Sequence, residues 1–598
     1  MKKLSDYVIE FVASTGVKQI FMLTGGGCMH LVDSVGSNPD LEYVCCLHEQ
    51  ACAFAAEHYA EYTGGLGVAL VTTGPGGTNT VTGVAAAWLE SASCLFISGQ
   101  AKRADLIGDT GVRSMGQQEV DIVSVVKPIT KYAVTVLDPQ TIRYELEKAV
   151  CLATTGRRGP VWIDIPLDVQ AAMIDETSLE GFLPETAEPA NLREQVAQAI
   201  ELINQSQRPV LFIGNGAHAA AQGGGLRRMI DLLKIPVLVT WKIADFLPED
   251  DPYYAGRPGA IGQRGANFTQ QNADCLLVLG ARLDRPQTAF SHANFARCAS
   301  KIIVDVDAAE LAKIETEIDV PVRADAAEFV TEFLRQAGSL KAKDRTCWAK
   351  RAKEWSERYP VVQPEYRAET GAVNTYVLMD VLSDALTKDD LLVPGSSGPC
   401  SDIFMQAFRV KAGQRIVNAP GLGAMGTGLP GAIGACLASG RRRTININGD
   451  GGFQLNIQEL ETVRRLRLPI KFFVLCNGGY ASIMTTQRNY FQHRYVGSDP
   501  SSHLTLPDIE KVAAAYGLPV AHICNHSGLR EAVDAVLAHD GPIVCAVDIP
   551  AEQPTAPRVT SAVRPDGVIV SKPMEDMWPF LDRDEFEANM IVAPLEEA

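Results

Sequence analysis

The sequence lacks the features of a secreted or membrane-spanning chain. It has no apolar run near the roughly 18 residues that a membrane-spanning helix needs. The first residues, MKKLSDYVIEF, carry Asp6 and Glu10 where a secretory signal has its apolar core. We therefore expect a cytoplasmic protein that does not work in a membrane.

Positive charge is also scarce, since 54 Lys and Arg residues stand against 71 Asp and Glu residues and the net charge is −17. This balance argues against nucleic acid or an anionic membrane as the main partner. A local phosphate site remains compatible with it, because backbone N–H groups bind phosphate without net positive charge. The 14 cysteines include no C-x-x-C pair, so a zinc site is not expected. We expect these cysteines to be reduced thiols.

Short β-branched runs alternate with amphipathic stretches along the chain. Examples of the runs are GVALVTT, PVLFIG, CLLVLGA, KIIVDVD, TININGD and KFFVLCN. The alternation predicts an α/β protein with parallel sheets that helices cover on both faces.

Two linkers divide the chain, one around residues 183–191 (LPETAEPAN) and a charged one over about 341–372. The predicted domains are residues 1–182, 190–340 and 373–550, followed by a C-terminal tail at 551–598. The first and third domains resemble each other weakly in their order of helix, strand and glycine-rich turn. A duplication and the general likeness of doubly wound domains both explain this.

A glycine-rich turn follows one predicted strand in TININGDGGFQLNIQELETV. Gly449, Gly451 and Gly452 let a ligand approach the backbone, and the helix that follows offers free N–H groups to a diphosphate. Asp450 lies in this turn, and Asn477 follows the next predicted strand, KFFVLC. Because parallel strands end at the same edge of a sheet, we expect Asp450 and Asn477 to meet there. Their oxygens, with those of a diphosphate, suit Mg²⁺.

The spacing of this turn matches the thiamine-diphosphate motif, since G-D-G is followed by 24 residues and then by Cys476-Asn477. The motif usually ends in Asn-Asn. Over about residues 1–550 the chain resembles the acetolactate synthase branch of thiamine-diphosphate enzymes. The strings that carry the resemblance are HEQACAFAAEHYA, VTTGPGGTNTVTGVAAAWLESASCLFISGQ, GPVWIDIPLDVQ, RPVLFIGNGA, DVDAAELAK, GLGAMGTGLPGAIGA and GDGGFQLNIQELETV.

The resemblance implies three doubly wound Rossmann-like domains, which are pyrimidine-binding, central and nucleotide-binding-like, and diphosphate-binding in chain order. It also implies a cofactor site between two subunits, so a homodimer is the minimum and a homotetramer stays open. Glu49 of one subunit then bonds the aminopyrimidine of the cofactor and activates it, while Asp450 of the other subunit holds the metal. On composition alone, Glu49 is a helix-start carboxylate that complements the helix dipole.

The resemblance further assigns the residues around thiamine diphosphate and Mg²⁺. The metal ligands are Asp450, Asn477 and the backbone carbonyl of Gly479. The carbonyl of Gly423 receives the 4′-amino group, and Met425 supports the bend between the two rings. The residues expected to contact the cofactor are Thr73, Gly74, Gly398, Cys400, Gly423, Met425, Gly449, Gly451, Gly452, Asn477, Tyr480 and Ile483.

The predicted substrate pocket departs from that of acetolactate synthases. The residues assigned to it are Gly26, Cys28, Gln117, Gln118 and Thr486. Thr486 stands where the family has a Trp, and Gln117 where it has a Phe. Pro286 replaces an Arg, with Arg285 displaced by one position, and Leu167 replaces a Lys. An acceptor carboxylate would be costly to desolvate without a paired cation, so these changes predict a neutral carbonyl acceptor.

The sequence of the central domain does not decide whether a flavin binds there. GNGAH at 214–218 and GQRGAN at 262–267 lie at predicted strand-to-helix turns. Gly214, Gly216, Arg282 and Asp305 fall where the family's FAD binds. A glycine-rich turn is weak evidence by itself, so chains with and without a structural FAD remain alternatives.

These observations predict a thiamine-diphosphate-dependent carboligase of the transferase/lyase type. It would decarboxylate a 2-keto acid, with pyruvate as the default, and transfer the acyl carbanion to a carbonyl acceptor other than a second pyruvate. The alternatives are a genuine acetolactate synthase, a simple 2-keto acid decarboxylase, and an inactive regulatory subunit. The survival of Glu49, Asp450 and Asn477 disfavours the last. The sequence does not decide whether the tail folds over the site or packs on a partner.

Overall fold

The computed structural model describes residues 1–184, 191–563 and 569–595. Most of the first predicted linker, residues 185–190, lies outside the described residues. The fold is α/β with three main parallel sheets, which confirms the predicted class. The described residues form two compact units. One holds the N-terminal sheet with residues 389–401 and 417–551, and the other holds the central sheet with residues 402–416 and the C-terminal segment.

The N-terminal sheet consists of six parallel strands. In spatial order they are Glu42–Cys45, Gln19–Met22, Gly67–Val71, Cys94–Gln100, Val161–Pro166 and Tyr132–Thr135. Its α-helices are Leu4–Ser14, Met29–Ser37, Glu49–Thr63, Pro75–Glu90, Ile122–Val126, Ile142–Thr154 and Leu167–Gln170. The short strands Lys2–Lys3 and Met173–Ile174 pair antiparallel.

The third sheet contains five parallel strands that belong to the same unit as the N-terminal sheet. They are Leu391–Pro394, Thr444–Gly449, Ile470–Cys476, Ile543–Asp548 and Val520–Ile523. The α-helices of this part are Gly428–Ala438, Asp450–Gln454, Leu460–Leu466, Ala481–Tyr490, Ile509–Ala515 and Leu529–Ala538. Apolar residues dominate the central strands Gly67–Val71, Cys94–Gln100 and Ile470–Cys476, as strands buried on both faces require.

Small residues bring the helix Glu49–Thr63 against its neighbours. A Cβ added to Gly434 would lie 2.0 Å from the Ala55 carbonyl oxygen, and one added to Gly431 would lie 2.6 Å from the His58 ring. A Cβ at Gly83 would lie 2.2 Å from the Ala53 Cβ. The glycines of GLPGAIGA therefore serve helix packing here.

The central sheet belongs to the second unit and is also parallel. Its strands in spatial order are Val237–Val239, Pro209–Ile213, Cys275–Leu279, Ser300–Asp305 and Val320–Arg323. The α-helices of this unit are Leu192–Gln205, His218–Gln222, Gly225–Leu233, Arg264–Gln271, Ala308–Ala312, Ala326–Arg335, Thr346–Arg358, Thr375–Ala385, Asp402–Ala407 and Arg583–Asn589. Strands Ser561–Val563 and Ile569–Ser571 form an antiparallel pair.

The C-terminal tail packs on the central domain through the buried polar helix Arg264–Gln271. Asn267 Nδ2 donates to the Met574 carbonyl at 2.9 Å, and Gln271 Nε2 donates to Glu575 Oε2 at 2.9 Å. Arg297 pairs with the same fully buried Glu575 at 2.7 Å. The tail is thus part of this unit's core. Among the described residues, no helix has both the length and the apolar character to cross a membrane.

Candidate active site

Asp450 and Asn477 lie together at the carboxyl edge of the third sheet. The strands Thr444–Gly449 and Ile470–Cys476 are parallel neighbours, with Gly449 opposite Leu475. Asp450 Oδ2 accepts the N–H of Asn477 at 3.0 Å and that of Gly478 at 2.8 Å, and its Oδ1 accepts the N–H of Gly451 at 2.8 Å. One carboxylate therefore fixes both turns that follow the strands.

The amide of Asn477 faces two oxygen atoms. One terminal atom of this amide lies 3.1 Å from the Gly479 carbonyl oxygen and 3.1 Å from Asp450 Oδ1. If that atom is nitrogen, it donates two hydrogen bonds. If it is oxygen, it lies from each of the other two oxygens at nearly the spacing of adjacent ligands in an octahedral Mg²⁺ shell, about 2.9 Å for metal–oxygen distances of 2.0–2.1 Å. The residues present thus fit a small divalent cation held by Asp450, Asn477 and Gly479.

The electrostatic state of Asp450 follows from its surroundings. It is buried, and burial raises the pKa of its carboxyl group, while the backbone N–H groups of Gly478, Gly451 and Asn477 act in the opposite direction. A bound cation would favour the ionised form in the same way as these N–H groups do.

A cavity of about 140 Å³ opens beside this turn. Its lining includes eleven of the residues that the sequence assigned to the cofactor and metal: Gly398, Cys400, Met425, Gly449, Asp450, Gly451, Gly452, Asn477, Gly479, Tyr480 and Ile483. Asn448 also lines it, and its buried Nδ2 has no hydrogen-bond partner among the described residues. A ligand with acceptor oxygens, such as a diphosphate, fits this lining.

Two glycines of the cavity are required by its geometry. A Cβ at Gly451 would lie 2.5 Å from the Tyr480 ring, and Gly398 has a φ of +70°. Met425 lies over the same turn, since its Cε is 3.5 Å from that added Cβ. Gly423, with a φ of +62°, is outside the cavity lining, although it belongs to the same loop as Met425.

Glu49 begins the helix Glu49–Thr63 and is buried, with 6% of its surface exposed. Its Oε2 accepts a hydrogen bond from Asn79 Nδ2 at 3.0 Å. His48 is the N-cap of this helix and accepts the N–H of Gln50 on Nδ1 at 3.1 Å. Glu49 is not among the described residues that line the Asp450 cavity.

Other assigned residues meet at the carboxyl edge of the N-terminal sheet. Thr73 Oγ1 donates to Gln100 Oε1 at 2.9 Å. A Cβ on Gly74 would lie 2.4 Å from the Gln118 carbonyl oxygen. Cys28 is buried and donates its thiol to the Gly25 carbonyl at 3.4 Å. Gly26 has open space around its Cα, and Gln117 is exposed.

Thr486 lies on the exposed side of the helix Ala481–Tyr490 and donates its hydroxyl to the Ser482 carbonyl at 3.1 Å. It is outside the lining of the Asp450 cavity. Its assignment to the substrate pocket stays a prediction.

The residues assigned to FAD lie at one edge of the central sheet. Gly214 follows Pro209–Ile213, Arg282 follows Cys275–Leu279, and Asp305 ends Ser300–Asp305. Added Cβ atoms at Gly214 and Gly216 would lie 2.4 Å from the Gly280 carbonyl oxygen and 2.8 Å from the Gly280 Cα. Loop-to-loop packing therefore already explains both glycines, and FAD binding stays a prediction.

Sequence reasoning missed the partners of Glu49 and of its helix start. Asn79 donates to Glu49 from the helix Pro75–Glu90. Glu459 Oε1 accepts the N–H of Leu47 at 2.8 Å, and Asn456 contacts Gln50. Glu459 and Asn456 both belong to the string GDGGFQLNIQELETV, which contains the metal motif. Their short distance from Asp450 in the sequence is the feature that could have marked them as residues near the site.

Three family models match the chain in order. They are described as the N-terminal TPP binding domain of thiamine pyrophosphate enzymes at residues 2–125, the central domain at 196–333, and the C-terminal TPP binding domain at 397–547. The chain is 32% identical over 572 residues to acetolactate synthase 1, chloroplastic, from Zea mays, covering 94% of this chain and 87% of that protein.

Relatives from other lineages show the same extent of similarity. A probable acetolactate synthase large subunit from Methanocaldococcus jannaschii is 31% identical over 582 residues, which cover 94% of this chain and 95% of that protein. Acetolactate synthase, chloroplastic, from Arabidopsis thaliana is 31% identical over 572 residues, which cover 94% of this chain and 83% of that protein.

Proposed function

The chain belongs to the acetolactate synthase family of thiamine-pyrophosphate-dependent enzymes, and we propose that it is a carboligase that joins the acyl group of pyruvate to a neutral carbonyl acceptor. The observation that carries the catalytic part is the convergence of Asp450, Asn477 and Gly479 beside a cavity lined by the glycine-rich turn 449–452, whose backbone a diphosphate can approach closely. A catalytically inactive subunit would have no need to keep this set together with the buried Glu49.

Each residue has a defined task in this proposal. Asp450, Asn477 and the Gly479 carbonyl hold Mg²⁺, which binds the diphosphate. When bound, thiamine diphosphate supplies a carbon nucleophile and accepts the electron pair that CO₂ leaves behind. Glu49 holds a proton at the aminopyrimidine nitrogen, and Asn79 keeps the Glu49 carboxyl in place through its 3.0 Å hydrogen bond. General acid–base help of this kind contributes about 10²–10⁴-fold to a rate.

The proposed active unit is a dimer with shared sites. In support, Glu49 is not among the described residues that line the Asp450 cavity, and the lining comes from residues 396–549 only. A cavity of about 140 Å³ is also smaller than the roughly 300–1,000 Å³ of pockets that enclose a whole small ligand. Glu49 of a second copy would complete such a site.

The proposal of a neutral acceptor rests on the replaced cations. Arg285, the nearest substitute for the Arg that Pro286 replaces, is directed to Glu315 at 2.5 Å on the surface. The Pro286 carbonyl accepts the N–H of Ala260 at 2.9 Å. Leu167 begins the short helix Leu167–Gln170 and brings no charge. These contacts support an acceptor without a carboxylate, such as a keto-sugar or an aldehyde.

The test is to incubate the protein with thiamine diphosphate, Mg²⁺, pyruvate and a panel of neutral ketones and aldehydes, and to identify products by mass spectrometry. The expected result is CO₂ release with a product heavier than the acceptor by C₂H₄O, that is, an acetyl group on the carbonyl carbon and a hydrogen on its oxygen. CO₂ with acetaldehyde alone would make the protein a simple decarboxylase. No CO₂ from any 2-keto acid would contradict the proposed function.

A further inference from the structure

One side chain joins the segment that carries Glu49 to the loop that carries Met425. Asn456 Nδ2 donates to Gln50 Oε1 at 2.9 Å and to the Gly426 carbonyl at 3.0 Å. Gln50 directly follows Glu49, and Gly426 directly follows Met425. The amide of Asn456 thus contacts the residue that follows Glu49 and the residue that follows Met425. The resemblance assigns Glu49 and Met425 to the rings of the cofactor.

Asn456 is held in a conformation that suits this bridge. Its φ of 76° and ψ of 21° lie in the left-handed region, which Asn enters more readily than most residues with a side chain. It is buried, and its Oδ1 accepts Gln458 Nε2 at 3.3 Å. This contact orients the amide so that Nδ2 faces the two acceptors.

The backbone on both sides of the bridge is fixed separately. Glu459 Oε1 accepts the N–H of Leu47 at 2.8 Å, two residues before Glu49. The buried carboxylate of Glu90 accepts the N–H of Gly421, in the loop that leads to Gly426. These contacts hold each segment to a neighbouring helix, whereas the amide of Asn456 joins Gln50 and Gly426 to each other.

We propose that Asn456 is a positioning residue, whose amide sets the relation between the Glu49 segment and the loop ending at Gly426. The inference rests on the proposed function, which gives those segments their roles. In the proposed dimer, the Glu49 segment and the Met425 loop of one chain belong to two different active sites. The hydrogen bonds of Asn456 therefore fix the position of one segment in each site. A displacement of about 1 Å in such an arrangement costs up to about 100-fold in rate.

The experiment compares Asn456→Gly and Asn456→Asp with the wild-type protein. Glycine keeps the left-handed backbone and removes the amide, while aspartate keeps the shape and removes the donor. Arg467→Gly is the matched control, because Arg467 also has a positive φ of 49° but lies exposed at the end of a helix. The readouts are kcat and KM for pyruvate, the unfolding temperature, and hydrogen exchange by mass spectrometry on the protein without cofactor.

The expected result is a kcat lower by about 10- to 100-fold in both Asn456 variants, with KM changed by less than about threefold and an unfolding temperature close to that of the control. Exchange should rise in residues 45–52 and 421–428 and stay unchanged elsewhere. Gln50→Leu should reproduce both effects, and Gln50→Glu, which keeps an acceptor oxygen, should restore the protection from exchange.

Two results would overturn the inference. Wild-type kcat in Asn456→Gly would show that the amide is dispensable, and a general rise in exchange with early unfolding would show a merely structural role. If the wild-type protein releases no CO₂, the proposed function fails instead. The exchange measurement then still decides whether Asn456 orders both segments.

Discussion

At the scale of single residues, the groups around Asp450 determine how the candidate metal site can be tested. Its carboxylate accepts three backbone N–H groups, so an alanine at this position would leave all three without their acceptor, at about 1–3 kcal/mol for each buried group. The loss of metal binding would then be mixed with a loss of local structure. An isosteric substitution separates the two effects.

We expect Asp450→Asn to fold and to lose the stabilisation by Mg²⁺ with thiamine diphosphate. A ligand present at about 100 times its Kd stabilises a protein by about 2.7 kcal/mol, and the neutral amide removes the charge that attracts the cation. The measurement is the unfolding temperature with and without both ligands, with Asp508→Asn, at an exposed helix N-cap, as the control. An equal shift of the wild-type protein in Mg²⁺ and in EDTA would contradict the metal assignment.

Glu49→Gln should keep the fold and lose most of the turnover. The amide retains the contact with Asn79 in shape but cannot hold and release a proton, so CO₂ release from pyruvate should fall by about 10²–10⁴-fold. Glu194→Gln is the control, since Glu194 also stands in the first turn of a helix. Unchanged CO₂ release in Glu49→Gln would remove Glu49 from the mechanism.

The sequence could predict Asp450 and Asn477 as neighbours because parallel strands end at one edge. It could not predict Asn79 or Asn456, whose contacts span 30 and 406 residues, since no local pattern encodes a distant side-chain partner. The sequence also could not show which neighbour comes close to Gly431 and Gly434, and in the structure it is the helix Glu49–Thr63.

At the scale of elements, one polar cluster links three strands of the N-terminal sheet. Asp164 is buried and accepts hydrogen bonds from Ser98 at 2.5 Å, Gln100 at 3.1 Å and Thr135 at 3.1 Å. Burial raises the pKa of Asp164 to about 7, in spite of these three hydrogen bonds. Gln100 also accepts the hydroxyl of Thr73, so the cluster reaches a residue assigned to the cofactor.

The raised pKa of Asp164 predicts a pH-dependent stability. Between about pH 4 and pH 7 the folded protein binds a proton that the unfolded chain has released, so stability falls as the pH rises through this window and is level above it. Asp164→Asn mimics the protonated group and should lack this contribution. From about pH 5 to pH 8 the variant should gain about 2 kcal/mol relative to the wild type. Parallel unfolding temperatures at both pH values would contradict the assignment.

The contact between the C-terminal tail and the central domain, at the helix Arg264–Gln271 and Arg297, should contribute measurably to the free energy of unfolding. Glu575→Gln should destabilise the central unit by about 3 kcal/mol, because it leaves Arg297 without its charge partner in a buried pair. Glu585→Gln, in the same tail, breaks an exposed pair with Arg358 and should cost less than about 1 kcal/mol. Thermal unfolding followed by tryptophan fluorescence checks this. Equal effects of the two substitutions would show that the tail is not part of the core.

At the scale of the whole molecule, the N-terminal and third sheets share an arrangement. Leaving out Glu42–Cys45, the remaining strands of the N-terminal sheet follow the spatial order 1-2-3-5-4, and so do the five strands of the third sheet that belong to the same unit. The weak sequence likeness of the two domains thus has a counterpart in topology. Sequence patterns predicted several of the strands from their apolar or alternating runs, but not the packing of both sheets into one unit, which depends on distant glycine contacts.

We expect the protein to differ from its relatives in the product of its reaction. A second pyruvate brings a carboxylate to the acceptor side, and burying that charge without a cation is costly. The family's Arg and Lys positions hold Pro286 and Leu167, and Arg285 is directed to Glu315. Arg113, exposed in the loop after the strand Cys94–Gln100, is a further cation that could meet such a carboxylate.

We therefore expect acetolactate to be a minor product. The measurement is a competition in which the protein receives pyruvate alone, or pyruvate with a neutral ketone or sugar aldehyde, and both products are quantified. The mixed product should form at least about tenfold faster, which corresponds to about 1.4 kcal/mol of transition-state stabilisation. Arg113→Ala should lower any residual acetolactate formation without lowering the mixed product. If pyruvate alone yields acetolactate as efficiently as any mixture yields its cross-product, the replaced cations do not define the acceptor, and the protein is an acetolactate synthase in activity as well as in family.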